Sequence, residues 1–92
     1  MLDVREAARK AAEYFASLYD ANTYADLQLE EVELTEDEKY WLITLSYAYA
    51  DPMSSAISTV LKIPSSKPRK YKQFKIDAAT GKVQAMTIRK VG

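Results

Sequence analysis

The stretch YKQFKIDAATGKVQAMTIRKV, residues 71–91, leaves little choice of local structure. It reads as two strands joined by a tight turn at Gly81, the only glycine ahead of the terminal Gly92. The Asp77 carboxylate can accept from backbone amides two residues on, and Thr80 can do the same more weakly. Glycine adopts a left-handed conformation at little steric cost, so the pattern predicts a type I turn closed by a glycine bulge. Phe74 and Ile76 share one face of the first arm, with Tyr71, Gln73 and Lys75 on the other. On the return arm Met86 and Ile88 share a face. Val83 falls out of phase with them, which predicts a kink beside the turn. Asp77, Thr80 and Gly81 are therefore assigned to the turn as structural residues.

Upstream, residues 3–20 have the spacing of an amphipathic helix. Val4, Ala8, Ala11, Phe15 and Leu18 recur on one helical face. Asp3 with Glu6 three residues on has the form of a capping box, and Asn22 is the expected left-handed cap after the helix. Residues 27–34, LQLEEVEL, predict a strand in which Leu27 and Leu29 alternate in one phase and Val32 and Leu34 in the other. A bulge at Glu30 and Glu31 would return both pairs to one face. After a polar loop over residues 35–39, residues 40–50 form the strongest strand pattern in the chain, rich in aromatic and β-branched residues. Trp41, Ile43, Leu45, Tyr47 and Tyr49 supply its core face. Trp41 is expected to be largely buried against Ala8, Ala11 and Phe15. The opposite face, Tyr40, Leu42, Thr44, Ser46 and Ala48, is also partly apolar, which predicts a central position in the sheet. In residues 51–70 two readings stay open for the run SSAISTVLKI, a short helix or an extended segment. The expected architecture is α+β, one domain over residues 1–92. An N-terminal helix packs on one face of a four-stranded antiparallel meander.

Composition removes several chemistries. Ninety-two residues make one small domain that can bury roughly 60–65% of its unfolded surface. Cysteine and histidine are both absent, so thiolate sites, disulfides and the commonest general base and metal ligand are excluded. The thirteen basic and thirteen acidic residues cancel, which argues against a general nucleic-acid binder. No window approaches the ~18 apolar residues of a membrane span, and the N-terminus lacks the apolar core of a signal peptide. The expected location is cytoplasmic, or extracytoplasmic for a chain already freed of a signal peptide.

Two charge clusters stand out. Asp26, Glu30, Glu31, Glu33, Glu36, Asp37 and Glu38 lack the ordered spacing of an oxygen-ligand metal site, so a solvated edge and loop is the favoured reading. Lys62, Lys67, Arg69, Lys70, Lys72 and Lys75, with Tyr71 and Phe74 among them, could track phosphates and stack bases. A charged loop leading into a lysine-guarded strand is favoured. The two clusters could also attract each other, within one chain or between two. Ser65, Ser66 and Lys67 do not have the spacing of a serine–lysine pair. No catalytic, cofactor-binding or metal-binding residue is assigned, and the chain is read as a non-enzyme.

The run FKIDAATGKVQAM resembles the closing hairpin of PepSY-type domains, in which an apolar strand leads into Asp-Ala-x-Thr-Gly-x-Val. The matching residues are Ile76, Asp77, Ala78, Thr80, Gly81 and Val83. The alanine-rich helix ahead of the strands is similar to that family as well. The resemblance implies a cystatin-like helix wrapped by a sheet and a binding or peptidase-inhibiting module without catalytic residues. This chain lacks the Gln-x-Val-x-Gly loop of true cystatins. The expected function is thus a small protein-binding or regulatory module, with inhibition implied by the resemblance, acting through its sheet face or edge. A pocket protein or enzyme of the cone-shaped α+β type is the alternative, and a structural oligomerisation domain is third. Because one helix covers one face, the candidate partner surface is Tyr40, Leu42, Ala48 and Tyr71 on the other. Its expected occupants are residues 57–63 folding back, a second copy in a homodimer, or another protein.

Overall fold

Local signals and sheet pairing agree closely in the computed structural model, which describes residues 1–49, 60 and 69–89. One helix, α1 (Val4–Leu18), precedes four strands: β1 (Tyr24–Leu34), β2 (Tyr40–Tyr49), β3 (Arg69–Asp77) and β4 (Val83–Ile88). The strands form one sheet in the order β1-β2-β3-β4, and every neighbouring pair is antiparallel. The helix packs over β2, β3 and β4. This is the α+β helix-on-meander arrangement that the sequence predicts, with β2 in the interior of the sheet. Among the described residues, no helix is long and apolar enough to cross a membrane.

The start of α1 follows the capping prediction by half. The Asp3 carboxylate accepts from the Glu6 amide at 2.8 Å, which satisfies one of the orphan donors of the first turn. Glu6 does not reciprocate; its carboxylate takes the Arg9 guanidinium at 2.6 Å. At the other end the helix closes on Tyr19 in extended conformation, and Asn22 is not left-handed. The buried stripe also differs from the expected one. Ala7, Ala11 and Phe15 are fully buried, whereas Val4 and Leu18 are exposed. The helix touches the sheet through its middle turns, so residues at its two ends overhang whatever their phase.

Two alanines at the contact let the helix lie close to the sheet. Phe15 then fills the space beneath its last turns. Its ring stacks on Tyr19 at 4.6 Å and meets Tyr24 edge-on at 4.7 Å and Tyr47 at 4.8 Å. Ile43, Leu45, Phe74 and Ile76 complete the buried centre. Trp41 packs against this cluster as a partly buried residue at its rim, not at its enclosed centre. Its indole Nε1 donates to the Leu2 carbonyl at 3.0 Å, so the ring covers the N-terminal end of the core. Tryptophan suits such a rim, where one edge is apolar and the other needs a hydrogen-bond acceptor.

Both predicted irregularities are present. In β1 the register slips between Leu29 and Glu31, leaving Glu30 as the extra residue. In β4 it slips opposite Lys75 and Ile76, leaving Gln84 extra and bringing Val83 opposite Ile76. A second β1 slip between Ala25 and Gln28 is new, and it is accompanied by a left-handed Asp26 at φ 56°. Residues 51–59 and 61–68, which carry most of the ambiguous connection, lie outside the described residues. So does the proposed fold-back of residues 57–63, apart from Val60, which is exposed.

The β3–β4 turn is built from the predicted residues with a slightly longer loop. Asp77 Oδ1 accepts from the Ala79 and Thr80 amides at 2.8 and 2.9 Å. The Gly81 amide closes onto the Asp77 carbonyl, four residues back, at 2.8 Å with Gly81 at φ 78°. It is the β1–β2 loop that has the type I form. There the Glu38 amide meets the Thr35 carbonyl at 2.8 Å, and Glu38 itself, at φ 58°, occupies the left-handed position. Gly81 also has a tertiary reason to lack a side chain. A Cβ there would stand 3.1 Å from Leu2 Cδ2 and 3.3 Å from Lys10 Cε.

Two outcomes are expected. Gly81→Val destabilises the fold through the left-handed backbone, by about 1–2 kcal/mol, and further through collision with Leu2. Gly81→Asn costs less, and a Leu2→Ala background recovers only the steric share of the valine cost. Urea midpoints of the single and double variants separate the two; a Gly81→Val midpoint equal to wild type contradicts this turn. The second outcome concerns acid. Hydrogen bonds from Thr35 and the Lys39 amide hold the Asp37 carboxyl below its usual range, and the Thr80 and Ala79 amides do the same for Asp77. A lowered carboxylate contributes stability above its unfolded pKa and loses it as pH falls through the folded value. The thermal midpoint therefore drops on acidification below about pH 4. Asp77→Ala flattens part of that dependence.

Candidate functional site

Strand β1 has an unusual position: it is a sheet edge, eleven residues long, and the helix does not lie over it. Its sequence YADLQLEEVEL would scatter apolar residues over both faces if it ran regularly. The two bulges reset the phase. Leu29 pairs with Leu45, Val32 with Ile43 and Leu34 with Trp41, so all three join the helix side. Gln28, Glu31 and Glu33 pair with Ser46, Thr44 and Leu42 and face the other way. The outcome is an edge with one apolar flank and one acidic flank. Leu29 is 51% exposed and Val32 38% exposed, although both share a face with the buried centre. Only at its start does β1 meet the helix closely, where Tyr24 packs on Phe15.

On the opposite face a polar network ties the edge to the interior strands. Arg69 of β3 reaches across β2. Its Nη1 donates to Asp26 Oδ2 at 2.9 Å, its Nη2 to the Asp26 carbonyl at 2.8 Å, and Nη2 and Nε to Ser46 Oγ at 2.8 and 3.3 Å. The Ser46 hydroxyl in turn donates to Glu30 Oε1 at 2.8 Å. Both bulged positions, Asp26 and Glu30, are thus held by one group of side chains. A second bridge runs from Arg89, just past β4, to Glu31 at 3.1 Å. The opposite charge clusters of the sequence attract each other within one chain. Thr44, paired with Glu31 across the ladder, is buried, and its Oγ1 has no hydrogen-bond partner among the described residues.

The four residues proposed as a partner surface lie on this second face, but not as one patch. Tyr40 and Leu42 are half-buried at one end, and the Lys75 ammonium sits 4.3 Å above the Tyr40 ring. Ala48 is buried at the other end, with Arg69 opposite it, and Tyr71, half-buried, pairs with Ser46. Thr44 and Ser46 separate the two groups. Asp77, Thr80 and Gly81 are gathered in the β3–β4 turn as predicted. The basic cluster does not make one surface either: Phe74 is fully buried under the helix, while Tyr71 faces the other way. Lys70 lies over Tyr49 at 4.4 Å, and Lys62 and Lys67 are outside the described residues. Among the described residues, no three acidic side chains converge as metal ligands. A half-open depression of about 350 Å³ is lined by Met1, Glu38, Lys39, Tyr40, Asp77, Ala78 and Ala79, where the two hairpin loops meet.

Comparison with protein-family models, with curated proteins and with solved structures finds no match to this chain. The sequence pattern put Leu29 and Val32 on one face through the bulge, but did not single them out as exposed. It placed Arg69 in a loop, since nothing in its neighbours signals the serine and aspartate it meets across two strands. Arg69→Met should cost about 1–3 kcal/mol by leaving Asp26 and Ser46 without their shared partner. Arg89→Met, which breaks a more exposed pair, should cost less than about 1 kcal/mol. Urea unfolding of the two variants checks the order; equal, negligible losses would mean that the network contributes nothing to the fold.

Proposed function

We propose that this chain is a small non-enzymatic protein-binding module, working in the cytoplasm, that takes an extended segment of a partner onto the β1 edge of its sheet. The observation that carries this is the exposure of Leu29 and Val32 beside an edge that has no pairing strand among the described residues. An edge strand offers free backbone donors and acceptors, and an extended segment that joins it gains main-chain hydrogen bonds together with side-chain contacts on each flank. The apolar flank gives such a segment area to bury. The resemblance of residues 74–86 to the PepSY-type hairpin supports the same class of function, a binding or inhibitory module without catalytic groups. The second face, at Tyr40, Leu42, Ala48 and Tyr71, is the competing surface. Its separation into two half-covered groups favours the edge.

Selection of random extended peptides on the wild-type protein tests the proposal, with each selected peptide then measured on two variants. Leu29→Asp combined with Val32→Asp should abolish binding, while Leu42→Glu should leave it intact. Both edge residues are exposed, so the double variant is expected to keep its fold, with urea midpoints as the check. Peptides lost on Leu42→Glu but retained on the edge variant would move the working surface to the second face. Failure to select any peptide that depends on the edge would overturn the proposal.

A further inference from the structure

Building on the edge reading, we infer that the segment received by β1 alternates apolar with basic residues, and that it comes from a different protein, not from a second copy pairing through the same strand. In a strand added beside β1, alternate side chains fall on the two flanks. Those on the helix side meet Leu29 and Val32, which are open to solvent and call for apolar partners. Those on the other side meet the row of Gln28, Glu31 and Glu33, beside the bulged Glu30. Opposite charges directly across a strand pair stabilise it, and like charges weaken it. A basic residue at every second position answers this flank.

The same row argues against self-pairing. Two copies joined antiparallel through β1 would bring Glu31 and Glu33 of one against the acidic row of the other. Among the described residues, Glu31 has a single counter-charge, Arg89, and Glu30 is satisfied by Ser46. Neither pairing reaches the outer side of the row at Glu33. The acids thus protect the edge from its own kind and admit a cationic strand. Among the described residues, the other edge a second copy could offer to β1 is β4, where Ile88 is 73% exposed on the helix side and Arg89 follows it. That contact is head-to-tail, which builds a ring or an open filament and not a closed two-fold pair.

The test uses three labelled peptides of about seven residues, one alternating Lys with Val, one Glu with Val and one Lys with Ser. Binding to the full chain is read by fluorescence anisotropy, and the site by hydrogen exchange of the β1 amides. The Lys–Val peptide should bind at least about tenfold more tightly than either of the others and should protect β1. Glu33→Lys should reduce its affinity by about tenfold and raise that of the Glu–Val peptide. Equal binding of Lys–Val and Glu–Val with β1 protected would overturn the charge selection while leaving the edge as the working surface. Equal binding of Lys–Val and Lys–Ser would reduce the effect to unspecific charge and overturn the inference. No protection of β1 by any peptide would overturn both the inference and the edge reading. Protection of β1 that rises with protein concentration alone would assign the edge to a second copy instead.

Discussion

A single helix about 10 Å across cannot cover four strands spaced about 4.8 Å apart, and this mismatch governs the molecule. Helix α1 lies over β2, β3 and β4, where Ala7 and Ala11 allow close approach and Phe15 fills the remaining space. The strand left over is β1. Beyond Tyr24, its residues Leu29 and Val32 obey the phase of the core, yet both stay exposed. An apolar flank on an uncovered edge is costly to leave in water, and in a folded protein such surface commonly marks a contact.

The bulges of β1 are what turn that geometry into a two-sided edge. Without them, Leu29 and Val32 would point to opposite faces. The extra residues sit at Asp26 and Glu30, and both are fastened by side chains of the neighbouring strands, Arg69 and Ser46. The left-handed Asp26 is tolerated there because its carbonyl and carboxylate both meet the same guanidinium. Bulges of this kind also twist an edge and limit indiscriminate pairing. The acidic row adds a second barrier of the same sort, selective by charge instead of shape.

At the far end of the sheet the chain closes on itself through Leu2. Its amide donates to the Ala78 carbonyl, its carbonyl accepts from Trp41, and its side chain packs where Gly81 has no Cβ. The Ala78 amide meets the Lys39 carbonyl and joins the two hairpins. This junction fixes where α1 begins.

Much of this was legible in the residues themselves. Turn chemistry at Asp77, Thr80 and Gly81, the break in phase at Glu30, the slip at Val83 and the aromatic run of β2 are local signals, and local signals determine elements and their faces. The meander follows because short polar connections join antiparallel neighbours. The sequence could not say which strand the helix would leave bare, because phase reports the face of a side chain and not what lies above that face. For the same reason the pattern did not mark Leu29 and Val32 as exposed, and Val4 and Leu18 read as buried. Arg69 met Asp26 and Ser46 only through the strand order, which brings together residues 23 and 43 positions apart in the chain. Periodicity is a property of one element, whereas coverage depends on the width of the helix against the width of the sheet, and that is settled only when the two are packed.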